Sequence, residues 1–149
     1  MPIARPLANP LLQRRVHALR EDAGAAMLPT RGAVGPALRH LRSGGLVVLL
    51  GDQRSALQGR PVRLFGQTAY VANSLAVMAL RTGAAVIPGC GYLGTDGEWR
   101  VRLEPEIGRC RSGDIEADAT AMTAEYAAIL ERWIRESPEQ WLWTHARLG

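Results

Sequence analysis

The sequence lacks any apolar run long enough to form a membrane-spanning helix, which needs about 20 residues. Its first ten residues, MPIARPLANP, contain no apolar core of the kind that a signal peptide has. The two cysteines, Cys90 and Cys110, are not spaced as metal ligands, and this predicts free thiols in a reducing compartment. We therefore expect no transmembrane segment within these 149 residues, no metal site and no cofactor.

Lysine is also absent, so that every cationic side chain is an arginine, and the formal net charge is +4. A basic balance suits nucleic acid, an acidic membrane surface or phosphorylated ligands, and does not choose among them. The only phenylalanine is Phe65, and the arginines are scattered along the chain. Because no aromatic platform is available on which bases could stack, we expect no nucleic-acid partner.

Apolar periodicity predicts helices that alternate with buried strands, which is typical of the α/β class. Asn9 and Pro10 form a helix start, with Asn9 as the N-cap. A loop is expected over 51–66, and such long loops are often functional. We expect a mixed or mostly parallel sheet covered by helices. Two or three strands are few for a stable sheet that is covered on both faces. The first predicted helix begins at Asn9, and further helices are predicted over 35–45, over 69–83 and in the last third of the chain. The predicted strands cover 46–50, 84–89 and 98–105.

The last third carries an apolar stripe at helical spacing between Met122 and Ile134. A second helix is predicted to start at Ser137, with Pro138 at its first position and Gln140 completing a capping box. Trp141 and Trp143, two residues apart, do not share a helix face, so we expect at least one to lie at an interface with another part of the protein or with a membrane.

GCGYLG, residues 89–94, matches the glycine pattern of a dinucleotide-binding loop. A turn and a strand follow it, however, where that motif requires the N-terminus of a helix. A glycine-rich strand connection is therefore the favoured interpretation.

His17 and Asp22 have the spacing of a catalytic His–acid pair. Residues five apart in a helix point about 140° away from each other, and helical neighbours are three or four apart. Because the predicted helix begins at Asn9 and contains both residues, we interpret them as part of a solvated polar face.

Five segments, in order, resemble the bacterial lipid A biosynthesis acyltransferases. Related enzymes acylate phosphatidylinositol mannosides. One position departs from the family pattern, with Leu64 in place of a phenylalanine. The matching segments are RPLANPLL (5–12), LRSGGLVVLLGDQ (41–53), VRLFG (62–66), LAVMALRTGAAVIPG (75–89) and PEQWLWTHAR (138–147).

The resemblance implies an α/β fold like that of the glycerolipid acyltransferases, incomplete on its N-terminal side. The family's catalytic His and acid lie upstream of the segment that matches 5–12, so residues 1–149 are expected to be the C-terminal part of one acyltransferase domain. His17 and Asp22 lie after that segment, in the wrong place for the motif. No catalytic residue is therefore assigned in this chain.

The resemblance assigns substrate-binding roles to four residues. Asp52 ends the predicted strand 46–50, where an α/β sheet offers its ligand crevice, and Gln53 and Arg54 follow it. A turn-capping aspartate is the alternative for Asp52. Arg20 lies about 40° from Val16 on the predicted helix, at the edge of its apolar stripe, which is expected to be buried.

The expected reaction moves a fatty acyl chain from acyl carrier protein or acyl-CoA to a hydroxyl of a lipid A precursor or related glycolipid. The expected location is the cytoplasmic face of the bacterial inner membrane, with this chain peripheral to the membrane surface. The alternative is a non-catalytic truncated homologue that binds acidic lipid head groups or a partner chain.

Overall fold

A computed structural model describes residues 1–4, 7–29, 32–51, 59–108 and 112–143. The chain divides into two compact units, Met1–Leu50 and Gly51–Gly149. The helices are α1 (Pro10–Asp22), α2 (Val34–Arg42), α3 (Ser74–Thr82) and α4 (Ile115–Glu136). The strands are β1 (Ile3–Ala4), β2 (Leu28–Pro29), β3 (Gly59–Leu64), β4 (Gln67–Ala72), β5 (Gly89–Leu93) and β6 (Trp99–Leu103).

The α/β class is confirmed, but the sheet differs from the predicted one. The described strands form three separate two-stranded sheets, of which only β1–β2 is parallel. The other two, β3–β4 and β5–β6, are antiparallel hairpins. The expected mostly parallel sheet under a cover of helices is therefore not found among the described residues.

The predicted start of α1 is confirmed in detail. The Asn9 side chain accepts hydrogen bonds from the backbone N–H groups of Leu11 and Leu12, and Pro10 occupies the first turn. These N–H groups have no partner within the helix, which is why an asparagine cap stabilises it by about 1 kcal/mol. At the other end, Gly24 adopts φ +78° and closes the helix as predicted.

The strand predicted over 46–50 is wrong. Only Val48 makes a bridge there, parallel to Pro2, with Ile3 N–H donating to the Val48 carbonyl at 3.0 Å. Leu46, Val48 and Leu50 are exposed. An unbroken apolar run is compatible with a buried parallel strand, but such a strand also needs cover on both faces, and the sequence of the run does not reveal whether that cover is present.

The second unit is organised around α4, the longest helix. Asp114 caps its N-terminus by accepting bonds from the N–H groups of Glu116 and Ala117. The apolar stripe predicted between Met122 and Ile134 faces the core, as expected. The members that are buried are Met122, Leu130, Trp133 and Ile134.

Hairpin β3–β4 occupies part of the stretch predicted as a loop and part of that predicted as a helix. Its two-residue turn consists of Phe65 and Gly66, with φ of +51° and +75°. This is the type I′ geometry that matches the twist of two paired strands. Helix α3 therefore begins only at Ser74, although Gly83 ends it in a left-handed conformation as predicted.

A strand was predicted over 84–89, but residues 84–88 form an irregular connection in which Val86 is buried. The strand begins instead at Gly89, and GCGYL forms β5 itself. The third predicted strand is confirmed as β6, within the predicted range 98–105.

The helix predicted from Ser137 is a single 3₁₀ turn, Pro138–Gln140, and the Ser137 side chain makes no capping bond. The capping box does not form because the Gln140 side chain bonds to the backbone of Leu93 instead, at 2.7 and 3.0 Å. Trp141 packs beside the cluster of Leu130 and Ile134.

Candidate functional site

Three of the four predicted substrate-binding residues, Asp52, Gln53 and Arg54, lie outside the described residues. They follow Gly51 and precede Gly59, the first residue of β3. Their role stays a prediction.

Arg20, the fourth, lies in the last turn of α1 and is exposed. Its Nη1 atom is 4.0 Å from the sulfur of Met27, a weak contact that leaves the guanidinium available. The apolar stripe next to it was expected to be buried, and this is wrong. No residue of α1 is buried, and Leu12 and Leu19 are 52% and 61% exposed.

This exposed stripe has an arginine on each side. On an ideal helix, Leu12, Val16 and Leu19 fall within about 60° of one another, and Arg15 and Arg20 lie about 40° beyond its two edges. We call these five residues the Arg-flanked stripe. Apolar side chains between guanidinium groups suit an interface between hydrocarbon and anionic head groups.

His17 pairs with Glu21 rather than with Asp22. The His17 Nδ1 atom is 3.2 Å from a Glu21 carboxylate oxygen, one helical turn away. Both side chains are exposed, so solvent screens the pair and its contribution to stability is small. The geometry supports the interpretation that His17 and Asp22 are not a catalytic pair.

In the second unit, a shallow groove of about 440 Å³ runs between hairpin β3–β4 and α4. We call it the arginine groove. Formally it holds three cations and two anions. Its lining residues are Arg63, Ala128, Glu131, Arg132, Arg135 and Glu136.

Glu131 of α4 bonds to the turn of hairpin β3–β4. Its carboxylate accepts the Phe65 N–H at 2.6 Å and two bonds from the Arg135 guanidinium at 3.0 and 2.7 Å. The Phe65 amide, followed by the Arg135 guanidinium, lowers the pKa of Glu131 below its ordinary value. The Arg135 guanidinium also lies over the Phe65 ring, 5.1 Å from its centroid.

Glu104, after β6, plays a similar role. It accepts the indole N–H of Trp133 at 2.8 Å and pairs with Arg132 at 2.6 Å. The Trp133 hydrogen bond, followed by the Arg132 hydrogen bond, lowers the pKa of Glu104. Carboxylates that are ionised and fully bonded in this way do not act as general acids near neutral pH. The geometry therefore favours an anchoring network over a catalytic centre.

No group of three or more potential metal ligands occurs in the part of the chain that the structure describes. GCGYLG was predicted to be a strand connection, but its first five residues form strand β5, and a turn and β6 follow it rather than the N-terminus of a helix. Among the same residues, no helix is long and apolar enough to cross a membrane.

Among the interactions that sequence reasoning missed, two differ in whether the sequence carried a signal for them. The pairing of His17 with Glu21 has the four-residue spacing of helical neighbours, so a signal for it was present. The pairing of Glu131 with Phe65 had none, because a contact across 66 positions depends on the turn that brings Phe65 to the helix.

The sequence matches a known protein family. The model of the bacterial lipid A biosynthesis acyltransferase family matches residues 1–149. A phosphatidylinositol mannoside acyltransferase of Mycolicibacterium smegmatis is 28% identical over 143 residues, which cover 93% of this chain and 45% of the relative. One from Mycobacterium tuberculosis is 28% identical over 130 residues, covering 84% of the chain and 40% of the relative. The chain thus spans less than half the length of these relatives.

Proposed function

We propose, from the premise that this chain belongs to the bacterial lipid A biosynthesis acyltransferase family, that it works as part of an enzyme that acylates a glycolipid. The donor is acyl carrier protein or acyl-CoA, and the acceptor is a hydroxyl of a lipid A precursor or a related glycolipid. The observation that carries the proposal is the family match over all 149 residues. We also propose that these residues are the C-terminal part of a single acyltransferase domain.

The reaction itself is a transfer from sulfur to oxygen. The acceptor hydroxyl oxygen attacks the thioester carbonyl, a C–O bond forms and the C–S bond breaks. The hydroxyl proton passes to a general base, which returns it to the departing thiolate, so that the donor leaves as a thiol. A base with an orienting partner and a group that stabilises the oxyanion are needed for this, and neither is assigned among residues 1–149.

The contribution that we assign to this chain is recognition of the acceptor. Asp52 and Gln53 would bind acceptor hydroxyl groups, and Arg54 and Arg20 would bind its phosphate or acidic groups. Guanidinium groups suit this role because they donate several hydrogen bonds in a fixed plane.

We further propose that the enzyme works at the cytoplasmic face of the inner membrane, with this chain peripheral to the surface. The Arg-flanked stripe supports this, because exposed leucines between arginines combine apolar burial with attraction to anionic lipids. Each arginine near an anionic surface contributes about 1 kcal/mol.

The test of acyl transfer is an assay with radiolabelled lauroyl-loaded acyl carrier protein or lauroyl-CoA and two acceptors, a lipid A precursor and a phosphatidylinositol mannoside. We expect a full-length enzyme that contains this chain to transfer the label to one of the two acceptors. In an active enzyme, Asp52→Asn should lower kcat/KM by about 100-fold, or about 2.7 kcal/mol. Asp22→Asn, which removes the same charge from the exposed end of α1, is the matched control and should leave kcat/KM unchanged.

Normal turnover of a folded Asp52→Asn variant would remove Asp52 from the acceptor site. Absence of transfer to either acceptor by a folded full-length enzyme that contains this chain would favour the second candidate, a non-catalytic truncated homologue that binds acidic lipid head groups or a partner chain. The observation that favours this candidate is the Arg-flanked stripe, whose exposed leucines lie between two arginines.

Membrane binding is tested separately by co-sedimentation with vesicles that contain or lack phosphatidylglycerol. Arg20→Gln should weaken binding to the anionic vesicles by about 5-fold. Arg14→Gln, on the opposite face of α1, removes the same charge and should have a smaller effect. Equal losses for the two variants would mean that net charge, and not the Arg-flanked stripe, determines the binding.

A further inference from the structure

The β5–β6 hairpin carries its apolar side chains on the outside. Trp99, Val101 and Leu103 alternate along β6 and are 76%, 77% and 70% exposed. In the register of the hairpin, Leu93 lies opposite Trp99 on the same face. We call this set of four side chains the outer face. A face of this kind is unusual in a monomer, where large contiguous apolar patches mark interaction sites.

The opposite face of the hairpin is packed against α4, although it carries the polar residues. Cys90 contacts the cluster formed by Leu130, Trp133 and Ile134. Arg102 pairs with Glu136 of α4. The usual arrangement of a half-buried antiparallel sheet, apolar inside and polar outside, is therefore reversed.

The outer edge of β6 also lacks a strand partner among the described residues, since the sheet has two strands. Hydrogen bonds join Gly94 with Glu98 and Glu104 with Pro88. Because hydrogen-bonded and non-bonded pairs alternate in an antiparallel ladder, the backbone N–H and C=O groups of Trp99, Val101 and Leu103 point away from β5.

The corresponding outward groups of Leu93, on the edge of β5, are already occupied. The Gln140 side chain accepts the Leu93 N–H at 2.7 Å and donates to its carbonyl at 3.0 Å. Gln140 thus bonds to this edge of the sheet as a neighbouring peptide group would. At Leu93, therefore, the β5 edge is closed to a further strand, and β6 offers the other edge.

We propose that the outer face and the β6 edge bind a β-strand from the part of a family acyltransferase that lies outside the region matched by this chain. The M. smegmatis relative has more than half of its length outside that region, because the 143 aligned residues are 45% of it. The family therefore possesses enough additional polypeptide to cover both the face and the edge. This inference rests on family membership and is independent of whether the chain acylates anything.

A polypeptide fits this surface better than lipid does. Hydrocarbon would cover the outer face, but it cannot bond to the three outward N–H groups of β6, and open sheet edges do not occur in the hydrocarbon region of a membrane. An added strand satisfies those groups and places alternate side chains beside Trp99, Val101 and Leu103, as their cross-strand neighbours.

The test is amide hydrogen exchange in two molecules. One is the 149-residue chain alone, and the other is a chimera in which it replaces the aligned 143 residues of the M. smegmatis relative. In the chain alone, the amides of Trp99, Val101 and Leu103 should exchange rapidly, while those of Arg100 and Arg102, bonded to β5, are protected. In the chimera, the first three should slow by on the order of 100-fold.

Val101→Glu in the chimera should abolish the added protection, and Ile115→Glu is the matched control. Ile115 is an exposed apolar residue at the start of α4, away from the hairpin, where a glutamate suits the helix N-terminus. Val101→Thr, which preserves the β-branched shape, should retain most of the added protection.

Three results would overturn the proposal. In the first, the three amides of β6 exchange equally fast in the chain alone and in the folded chimera. In the second, the chain alone protects them and sediments as a dimer, so that a second copy is the partner. In the third, protection requires phosphatidylglycerol vesicles, so that lipid covers the face. Absence of acyl transfer by the chimera would bear on the proposed function and not on this one.

Discussion

Two antiparallel hairpins of the second unit contact the same helix in opposite ways. Hairpin β3–β4 packs its apolar side chains, among them Val62 and Leu64, around Ala127 of α4. Hairpin β5–β6 turns its apolar side chains away from α4 and joins the helix through Cys90 and Arg102. Both have five or six residues per strand, so their length does not explain the difference.

The contrast between the hairpins shows which property of a strand an alternating sequence specifies. Alternation determines which side chains share a face of a strand, because successive residues point to opposite sides. It does not determine what covers that face. The first hairpin finds its cover within this unit, and the exposure of the second is the reason that we propose a partner strand.

The prediction with the largest expected effect concerns the replacement of one leucine in each hairpin by alanine. Leu64→Ala should lower the free energy of unfolding by about 2–5 kcal/mol, since Leu64 is buried and its loss leaves a cavity. Leu103→Ala should change it by less than about 0.5 kcal/mol, because the side chain is largely exposed. Urea unfolding of the two variants and the parent, followed by circular dichroism, measures both values.

If Leu103→Ala proves as costly as Leu64→Ala in the chain alone, then the outer face is already covered, and the contrast between the hairpins does not hold. A small effect for both would instead indicate that the β3–β4 packing contributes little to the stability of this unit.

The parts of the fold that were predictable are those determined by local chemistry. The Asn9 cap, the glycine that closes α3 and the apolar stripe of α4 each depend on residues within a few positions of one another. The apolar stripe of α1 was identified from the same periodicity, yet its burial was wrong, because burial depends on what lies opposite the stripe.

The parts that were not predictable depend on distant pairing. The turn at Phe65 and Gly66 was missed because phenylalanine rarely adopts positive φ. It is held by Glu131, 66 residues away. Of the candidate site, Arg20 was placed correctly on α1, and Asp52, Gln53 and Arg54 lie outside the described residues, so their role stays a prediction from the resemblance.

A second test compares the two turns. Gly66 and Gly97 have φ of +75° and +81°, and an added Cβ would meet no atom within 4 Å at either position. Gly66→Ala and Gly97→Ala should therefore each cost about 1–2 kcal/mol through backbone strain alone. Thermal unfolding of the two variants measures the cost. A neutral Gly97→Ala would mean that the β5–β6 turn is not needed for folding of the isolated chain.

A third test concerns pH and the two anchoring carboxylates, Glu131 for the first hairpin and Glu104 for the second. Both have a folded-state pKa below the ordinary value of 4.5. The unfolded state therefore binds more protons in acid, so that their stabilisation is present above about pH 4.5 and is lost as the pH falls through the folded pKa. We expect the Tm to fall between about pH 5 and pH 3.

Glu131→Gln and Glu104→Gln should each lower the Tm at neutral pH and flatten the decline in acid. The matched control is Glu139→Gln, an exposed residue of the 3₁₀ turn, which should leave the profile unchanged. If only Glu131→Gln flattens the profile, then the second hairpin is held by contacts other than those of Glu104, such as the pair of Arg102 with Glu136. If neither does, the two carboxylates do not anchor the hairpins in solution.

The prediction with the smallest expected effect compares the reactivity of a thiol on each of the two faces of hairpin β5–β6. Cys90 lies on the packed face, where burial raises the pKa of its thiol, an effect that Arg102 partly opposes. The thiolate is the reactive form, so Cys90 should react slowly with iodoacetamide near neutral pH. Two variants are compared, and both carry Cys110→Ser. In the one that also carries Cys90→Ser and Val101→Cys, the new thiol on the outer face should react several-fold faster than Cys90 does in the other. Equal rates would mean that the two faces are equally open to solvent. In that case the packing of Cys90 against α4, on which the contrast between the hairpins depends, would not persist in solution.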